Sequence, residues 1–400
     1  MSVDDKKPHV VHIITRLDLG GAQKVCLLLV EGIKKEGGGV SLISGTQGEL
    51  AGIASKFDSV YLLESFKHKI SLKNILLEFK AFFQIILLLR ALKQKHKNIV
   101  VHTHTPKAGI IGRVAAFFAG VRKIVHTVHG LSFNSYQPWF LSFAIKTVEW
   151  FVSLITTHFI CVSKLDYEVC KKLYPRFVKK SSIIRPAVDW KLFFKPAKKA
   201  GKIQIEGINY GEAAGVYEEK TKNQIVIGCI SCFKPLKNLI DLFESFREVE
   251  FKLRGKIDIF LQVAGDGKLR SLYEEWIRKN NLKEKITLLG WQHDVANLMN
   301  NWDIFAMTSL KEGLPCGVVE ARFAKLPVIS YDVGGIAEII QHGKNGLLIK
   351  PHDVSSFTKS LTLLVEDKNF RQRLSNYSDE ISDYQNEVMC KKHINLYSEL

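Results

Sequence analysis

This sequence of 400 residues has no long apolar run, no apolar segment in its opening residues and only one CxxC motif. No stretch reaches the roughly 20 apolar residues that a membrane-spanning helix needs, and the opening MSVDDKKPH lacks the apolar core of a signal peptide. The seven cysteines follow no repeating spacing, and the pair Cys229 and Cys232 has no second pair to complete a zinc site. We therefore expect a cytoplasmic chain with reduced thiols.

Acidic residues are scarce in the first half of the chain. Residues 1–188 hold 27 Lys and Arg against 12 Asp and Glu, whereas residues 189–400 hold 30 against 28. A basic half beside a neutral half predicts an anionic partner, either nucleic acid, a membrane surface or a phosphorylated substrate. Because no nucleic-acid module and no face of interleaved aromatic and basic residues accompanies the charge, we expect no nucleic-acid binding.

Short apolar runs alternate with longer segments of helical periodicity along most of the chain. Nearly continuous apolar runs are typical of buried parallel strands, and repeated strand–helix units predict an α/β fold with open, doubly wound sheets. The first series predicts strands at 10–15, 40–44, 60–63, 99–104, 124–128, 159–163 and 183–185. The second predicts strands at 225–231, 257–264, 286–289, 304–308, 328–331 and 347–349.

Residues 190–222 are rich in Gly, Lys and Glu and interrupt this alternation, which predicts a linker with a surface excursion. The chain then divides into an N-terminal domain over 1–189, the linker, a C-terminal domain over 223–378, and a helix over 379–400 that packs back toward the N-terminal domain. Since ligands bind beyond the carboxyl ends of strands in such sheets, we expect the chemistry in a cleft between the two domains.

Two motifs of the N-terminal half place glycine or histidine directly after a predicted strand. Gly20 and Gly21 precede a helix, where a bare backbone would let an anion approach the free N–H groups. A plain tight turn is the simpler explanation of a lone Gly-Gly pair. His129 stands beside Gly130, where its imidazole could hydrogen-bond a substrate hydroxyl or transfer a proton, or could be an ordinary structural histidine.

A third motif, HTHTPKAGIIGR, begins at His102. His102 and His104 share one strand face, but no nearby carboxylate or cysteine completes a set of metal ligands, so we expect no metal. Lys107 and Arg113 are the better candidates to face a phosphate or an acceptor.

Two lysines follow the first strand of the C-terminal half. Lys234 and Lys237 lie in a strand-to-helix turn, where compact positive charge beside a helix N-terminus suits a diphosphate. A solvated pair of lysines is the alternative explanation.

The most specific pattern is SLKEGLPCGVVEA, residues 309–321, after another predicted strand. Pro315 fits a first helical turn, which would leave Glu312 in the loop and Glu320 two turns into the helix. A loop carboxylate can bind sugar hydroxyls, and a helix carboxylate can accept two hydrogen bonds from a ribose diol.

This pattern resembles the E-x7-E motif of family 4, a large family of retaining glycosyltransferases with the GT-B fold, with Glu312 and Glu320 at its two positions. The resemblance continues through VAGDGKLR and PVISYDVGGIAEII in the C-terminal half and through RLDLGGAQ and HTVHGLSF in the N-terminal half. HTHTPKAGIIGR also resembles enzymes that build bacterial capsule, exopolysaccharide or lipopolysaccharide. The resemblance implies two Rossmann-like domains, the N-terminal one for the acceptor and the C-terminal one for a nucleotide-sugar donor.

The resemblance also implies roles for residues of the C-terminal half. Glu312 would contact the donor sugar, Glu320 the ribose and Lys237 the diphosphate. The backbones of Gly313 and Leu314 would contact the diphosphate or the sugar.

In the N-terminal half, the resemblance implies that Gly21 approaches the phosphate and that His129 hydrogen-bonds the sugar near the reacting centre. One departure from the family pattern concerns the arginine that usually stands five residues before Lys237, where this chain has Cys232. Lys234 could supply the missing charge, although an ammonium does not reproduce a guanidinium fork.

The implied activity is that of a retaining hexosyltransferase in cell-surface polysaccharide synthesis that needs no metal or other cofactor. No DxD pattern stands in a suitable loop, and lysines, backbone N–H groups and helix dipoles can stabilise the leaving diphosphate. A sugar-nucleotide epimerase and a synthase with a soluble acceptor are alternatives within the same fold. The intact pair of glutamates argues against a non-catalytic binding protein.

A lipid-linked or glycan acceptor is implied, and a lipid-linked one would give the basic half a partner. Residues 66–97 combine apolar periodicity with many lysines. We expect that this segment, with residues 139–143, lies peripherally on the anionic inner face of the cytoplasmic membrane. A core-facing helix with a solvated basic side is the alternative.

Overall fold

The chain forms two compact units, which comprise residues 1–188 with 382–400 and residues 189–381. The computed structural model describes residues 7–67, 75–131, 133, 136–193, 204–205, 208–209, 224–378 and 380–400. Most of the predicted linker therefore lies outside the described residues, as do residues 68–74 of the predicted membrane-binding segment.

The N-terminal unit is built on a parallel sheet of seven strands in the order β3-β2-β1-β4-β5-β6-β7. The strands are β1 His9–Ile14, β2 Val40–Gly45, β3 Val60–Leu63, β4 Ile99–His104, β5 Lys123–Val128, β6 His158–Cys161 and β7 Ser181–Ile183. All seven strands predicted for this half are present, and the last one begins two residues earlier than the prediction.

Helices connect these strands and cover both faces of the sheet. They are α1 Gly21–Lys35, α2 Ala51–Ala54, α3 Ile75–Lys95, α4 Pro106–Phe118, α5 Trp139–Leu154 and α6 Lys164–Leu173. Side chains of β1 alternate between the faces, so Val11 and Ile13 join the core with α3 and α4, whereas Ile14 packs with Cys26 and Leu27 of α1. None of the described helices combines the length and apolar character that crossing a bilayer requires.

The last helix, α13 Asn386–Glu399, belongs to the N-terminal unit, where it packs against α1. Gly32 allows the close approach, because a Cβ there would lie 2.4 Å from the Sγ of Cys390.

The C-terminal unit has a second parallel sheet, in the order β12-β11-β10-β13-β14-β15. Its strands are β10 Gln224–Ile230, β11 Asp258–Ala264, β12 Ile286–Gly290, β13 Ile304–Met307, β14 Val328–Tyr331 and β15 Gly346–Ile349. Its helices are α7 Leu239–Leu253, α8 Arg270–Lys279, α9 Val295–Asn300, α10 Cys316–Phe323, α11 Val354–Glu366 and α12 Lys368–Ser375. The short antiparallel strands β8 Gln204–Ile205 and β9 Ile208–Asn209 precede this sheet.

In both parallel sheets, the order in which the chain adds strands reverses at the equivalent position. In each, the first strand of the series lies in the interior, with β1 between β2 and β4 and β10 between β11 and β13. The two doubly wound Rossmann-like domains of the predicted α/β fold are therefore confirmed. In the second sheet the strand order reverses between β10 and β13, and doubly wound sheets bind ligands beyond the carboxyl ends of such strands.

Candidate active site

The loops that follow β10 and β13 are joined by hydrogen bonds. The hydroxyl of Thr308 donates to the backbone carbonyl of Asn238 at 2.8 Å, and the N–H of Leu310 donates to the carbonyl of Leu236 at 2.8 Å. These bonds hold the turn that carries Lys237 against the loop that carries Glu312.

Lys237 and Glu312 form an ion pair, with Nζ and Oε1 2.5 Å apart. The side chains are 25% and 11% exposed, so both charges keep some access to solvent. Burial alone would favour the neutral amine, but the Glu312 carboxylate raises the pKa of Lys237 above its ordinary value. The turn therefore holds an ammonium that is charged at neutral pH.

A third loop, after β14, fixes the backbone around Glu312. Gly334 has a φ of +60°, and a Cβ there would lie 2.2 Å from the carbonyl oxygen of Glu312. The N–H of Gly335 donates to the carbonyl of Gly313 at 2.6 Å. Only glycine fits at position 334, so the Gly-Gly pair is a signal in the sequence for this part of the site, which was not among the predicted site residues.

The segment after Glu312 leads into α10. The side chain of Leu314 is buried, and no described residue accepts a hydrogen bond from the N–H groups of Gly313 or Leu314. The helix begins at Cys316, so the prediction that Pro315 lies in its first turn is wrong: Pro315 precedes the helix with an extended backbone. Glu320 is accordingly little more than one turn into α10, and it is buried.

The other cation of the turn, Lys234, is exposed and stands at the start of a 3-10 turn over Pro235–Lys237. Cys232 is half-buried, and the intervening Phe233 is fully buried. The structure thus leaves Lys234 available where the usual arginine is absent.

In the N-terminal unit, His129 follows β5 directly and is half-buried, and Gly130 makes the turn with a φ of +112°. The Nε2 of His129 lies 3.0 Å from the Nδ1 of His104. Burial, reinforced by His393, lowers the pKa of His129 to about 3, so its ring is neutral at physiological pH. Gly21 is the exposed first residue of α1.

Arg113 does not face an acceptor, which corrects the prediction. Its guanidinium is fully buried, where it pairs with Glu149 at 2.6 Å and donates to the carbonyl of Gly109 and the hydroxyl of Thr156. All of these partners belong to the interior of the N-terminal unit, so Arg113 is a structural cation.

Lys107 is likewise engaged inside the N-terminal unit. Its ammonium lies 2.5 Å from a carboxylate oxygen of Glu78 and also contacts the backbone carbonyl of Lys67. Only 8% of its side chain is exposed. The prediction that Lys107 faces a phosphate or an acceptor is therefore wrong, because its charge is neutralised by α3.

Comparison with known proteins identifies the family. The model of glycosyl transferases group 1 matches residues 216–381, and that of glycosyltransferase family 4 matches residues 19–191. A UDP-Gal:α-D-GlcNAc-diphosphoundecaprenol α-1,3-galactosyltransferase of Escherichia coli is 30% identical over 370 residues, which are 92% of this chain and 90% of the relative. The chain belongs to the family 4, group 1, glycosyltransferases. The capsular polysaccharide biosynthesis glycosyltransferase CapM of Staphylococcus aureus is 22% identical over 74% of each chain.

Solved structures place this glycosyltransferase in the GT-B fold. HepE of Anabaena, solved in complex with UDP and glucose, superposes with a TM-score of 0.76 over 98% of this chain and 100% of its own, at 16% identity. Sucrose-phosphate synthase of Thermosynechococcus elongatus gives the same TM-score over 98% of this chain and 99% of its own.

The glycosyltransferase contains one group of potential metal ligands among its described residues. A ring nitrogen of each of His12 and His104 and the Sγ of Cys26 lie within 4.8 Å of one another, all buried. This group was not predicted, because His12 is one of two histidines in an otherwise apolar strand and Cys26 is on a helix. The expectation that the enzyme uses no metal stays a prediction.

Proposed function

We propose that this glycosyltransferase moves a hexose from a nucleotide-diphosphate sugar to a lipid-linked or glycan acceptor, with retention of the anomeric configuration and without a metal. The observation that carries the proposal is the Lys237–Glu312 ion pair. It lies at the carboxyl ends of β10 and β13, where the strand order reverses and doubly wound sheets bind their ligands.

The charges of this site suit the bond that breaks. As the sugar–phosphate bond lengthens, the diphosphate gains negative charge and the sugar gains oxocarbenium character. The ammonium of Lys237, the exposed Lys234 and the N–H groups of Gly313 and Leu314 would stabilise the diphosphate. Glu312 would hold Lys237 in place and accept hydrogen bonds from the sugar, while Glu320 would bind the ribose.

The N-terminal unit would supply contacts of a different kind. Gly21, at the N-terminus of α1, would approach the phosphate, and the neutral imidazole of His129 would hydrogen-bond the sugar. The acceptor would bind to this unit. Same-face attack, in which the leaving phosphate accepts the proton of the acceptor, would retain the configuration without a dedicated base.

Transfer assays on the full chain test this proposal. With UDP-, GDP- and ADP-sugars and undecaprenyl-diphosphate-linked GlcNAc, we expect one donor class to be consumed only when acceptor is present. The rate should stay within about twofold in EDTA, and NMR of the product should show the anomeric configuration of the donor. Conversion of the donor to a sugar of changed ring configuration without acceptor would instead indicate an epimerase.

Substitution of Glu312 in the ion pair is the most direct test of the site. Glu312→Ala should lower the transfer rate at least about 100-fold, whereas Glu275→Ala, which removes an exposed glutamate of α8, should leave it unchanged. Equal rates for the two variants would contradict the role of the ion pair.

A lipid-linked acceptor is favoured by two observations. The Escherichia coli relative is named for an acceptor on diphosphoundecaprenol. In addition, α3 and α5 of this chain expose many large apolar side chains, which we call the aromatic face: Leu76, Phe79, Phe83, Leu87, Trp139, Phe140, Phe143, Phe151 and Leu154.

The aromatic face is also basic. Lys80 and Arg90 on α3 and Lys146 on α5 are exposed among these side chains. Helix α4 lies between α3 and α5 and continues the apolar surface with Phe117 and Phe118 at its end. Apolar side chains mixed with lysines suit the interface of an anionic bilayer, so we propose that this face docks peripherally on the inner surface of the cytoplasmic membrane.

Liposome flotation tests the docking. The chain should float with vesicles containing anionic phospholipid at low salt, and should bind less to neutral vesicles and at high salt. Phe79→Ser combined with Phe83→Ser should abolish flotation, while Phe251→Ser, at an even more exposed phenylalanine of the C-terminal unit, should not. Concentration-dependent dimerisation without flotation would show that the face binds a second copy instead.

A further inference from the structure

Three histidines of the N-terminal unit form a chain that ends at His129. The Nδ1 of His12 lies 2.9 Å from the Nε2 of His104, and the Nδ1 of His104 lies 3.0 Å from the Nε2 of His129. The rings come from β1, β4 and the end of β5, which are neighbours in the sheet. The Nδ1 of His129 has no hydrogen-bond partner among the described residues, so it is the ring nitrogen left for a ligand.

All three rings are neutral near pH 7. Burial, with contributions from neighbouring histidines, lowers the pKa of His12 and His129 to about 3 and that of His104 well below its ordinary value. A neutral imidazole carries its proton on one nitrogen and accepts a hydrogen bond at the other.

The two contacts therefore couple the tautomers of the three rings. Each N···N contact needs one donor and one acceptor, so the rings carry their protons either all on Nδ1 or all on Nε2. The choice is made at the two ends of the chain, which are the Nδ1 of His129 and the Nε2 of His12.

The inner end of the chain is closed. The Nε2 of His12 is buried without a hydrogen-bond partner. Besides His104, the groups near this ring are His102 at 5.1 Å, Tyr397 at 6.5 Å, His393 and the thiol of Cys26. The Tyr397 hydroxyl is engaged by His102, at 2.6 Å, and burial keeps the thiol protonated by raising its pKa.

A proton on the closed end would thus leave a buried N–H donor without an acceptor, which folded proteins rarely tolerate. An unprotonated Nε2 instead leaves only a lone pair without a donor, which is the smaller loss because no N–H is left unpaired. The closed end therefore favours the state in which every ring is protonated on Nδ1.

We propose that His12 and His104 are positioning residues that fix His129 as its Nδ1–H tautomer, so that it presents a donor and not an acceptor to a substrate hydroxyl. The role of His129 toward the sugar rests on the proposed function, whereas the tautomer does not. His12 and His104 would therefore act on the substrate only through His129.

NMR of the full chain labelled with ¹⁵N-histidine tests the tautomer without any assay of activity. Two-bond ¹H–¹⁵N correlations show which ring nitrogen carries the proton, and His129→Asn identifies the signals of His129. We expect the Nδ1–H pattern for all three rings at pH 7.5, unchanged at pH 6. A proton on Nε2 of His129, or an even mixture of tautomers, would overturn the proposal, as would one equivalent of zinc bound through the His12 ring.

Two variants of His12 separate the closed end from simple packing. The side chain of His12→Asn offers both an amide oxygen that can accept from His104 and an NH2 group that can donate to it, so both tautomers find a partner and the Nδ1–H fraction of His129 should fall about twofold. His12→Leu offers no acceptor and should keep the wild-type tautomer. Both variants are to be compared only if they unfold cooperatively, and an unchanged tautomer in a folded His12→Asn would contradict the proposal. If the wild-type chain showed no transfer activity while its histidines had the expected tautomers, the proposed function would be refuted and the tautomer proposal would stand.

Discussion

The two units share one topology but bury different side chains. The N-terminal sheet places His12, His102, His104 and His126 in its interior, on β1, β4 and β5. Among the described residues of the C-terminal unit, no histidine is buried, and the core around its sheet is aliphatic and aromatic. The C-terminal unit instead keeps its main ion pair at the ends of strands, where Glu312 and Lys237 retain access to solvent.

This difference separates two uses of polar groups in the same architecture. A partly exposed pair at the carboxyl ends of strands can exchange a partner for a ligand, because solvent still reaches both charges. Buried imidazoles that hydrogen-bond one another do not reach a substrate, so toward a substrate they act only by orienting a neighbouring residue or by stabilising the fold. Their neutral state also couples the stability of the N-terminal unit to pH.

The largest expected effect is that acid destabilises the N-terminal unit. Burial lowers the pKa of His12 and His129 to about 3 and that of His393 to about 4, from 6.5 in the unfolded chain. Stability is therefore complete above about pH 6.5 and falls as the pH drops toward 4, by up to about 1.4 kcal/mol per pH unit for each ring.

Hydrogen exchange of peptides from β1, β4 and β5, corrected for intrinsic rates, measures this loss between pH 7 and pH 5. Peptides from β10 and β13 provide the internal comparison and should change less. Removing the exposed His352 with His352→Gln should leave the profile unaltered. An equal increase of hydrogen exchange in both sheets between pH 7 and pH 5 would contradict the prediction that buried histidines make the N-terminal unit the more acid-sensitive one.

The next largest effect concerns the buried ion pair of the N-terminal unit. Arg113→Met should lower the free energy of unfolding by about 3–5 kcal/mol, because it leaves the Glu149 carboxylate buried without a partner. Urea unfolding measures the loss. Adding Glu149→Leu should restore much of the stability, and a double variant no more stable than Arg113→Met would show that packing, not charge, is responsible.

The strands could be predicted from the sequence because buried parallel strands are continuous apolar runs whose ends are marked by glycine and polar residues. The proximity of Lys237 and Glu312 could also be predicted, because both residues follow strands of one βα series and such loops lie at the same edge of the sheet. Family resemblance then supplied the roles that a pattern of charges alone leaves open.

The burial and pairing of Lys107 and Arg113 could not be predicted from the sequence, because they depend on which helices pack beside α4. Their partners Glu78 and Glu149 lie 29 and 36 residues away, on α3 and α5. A basic residue after a strand looks the same in sequence whether it faces a phosphate or a buried glutamate. His12 was missed for a related reason: the two histidines of HVVHII give no sign that three neighbouring strands bring their imidazoles together.

The ion pair of the C-terminal unit should matter for transfer more than for folding. Lys237→Met should lower the transfer rate about 100-fold, because the leaving diphosphate loses a positioned positive charge. Since Glu312 stays partly exposed, thermal unfolding should change far less than it does in Arg113→Met. Lys279→Met, at an exposed lysine of α8, is the matched control. A variant that unfolds in proportion to its loss of activity would indicate a structural pair like that of the N-terminal unit.

The smallest effect is expected at a helix cap of the C-terminal unit, and it tests whether ordinary local rules hold there. Asp294 accepts a hydrogen bond from the N–H of Asn297 at 3.0 Å at the start of α9. Asp294→Ala should lower the free energy of unfolding by about 1 kcal/mol, whereas Asp294→Asn, which keeps an oxygen acceptor, should lower it by much less. Urea unfolding at pH 7 and pH 5 should give the same loss, because no buried histidine is involved. A loss that grows in acid would mean that the C-terminal unit shares the pH coupling that we assign to the N-terminal sheet.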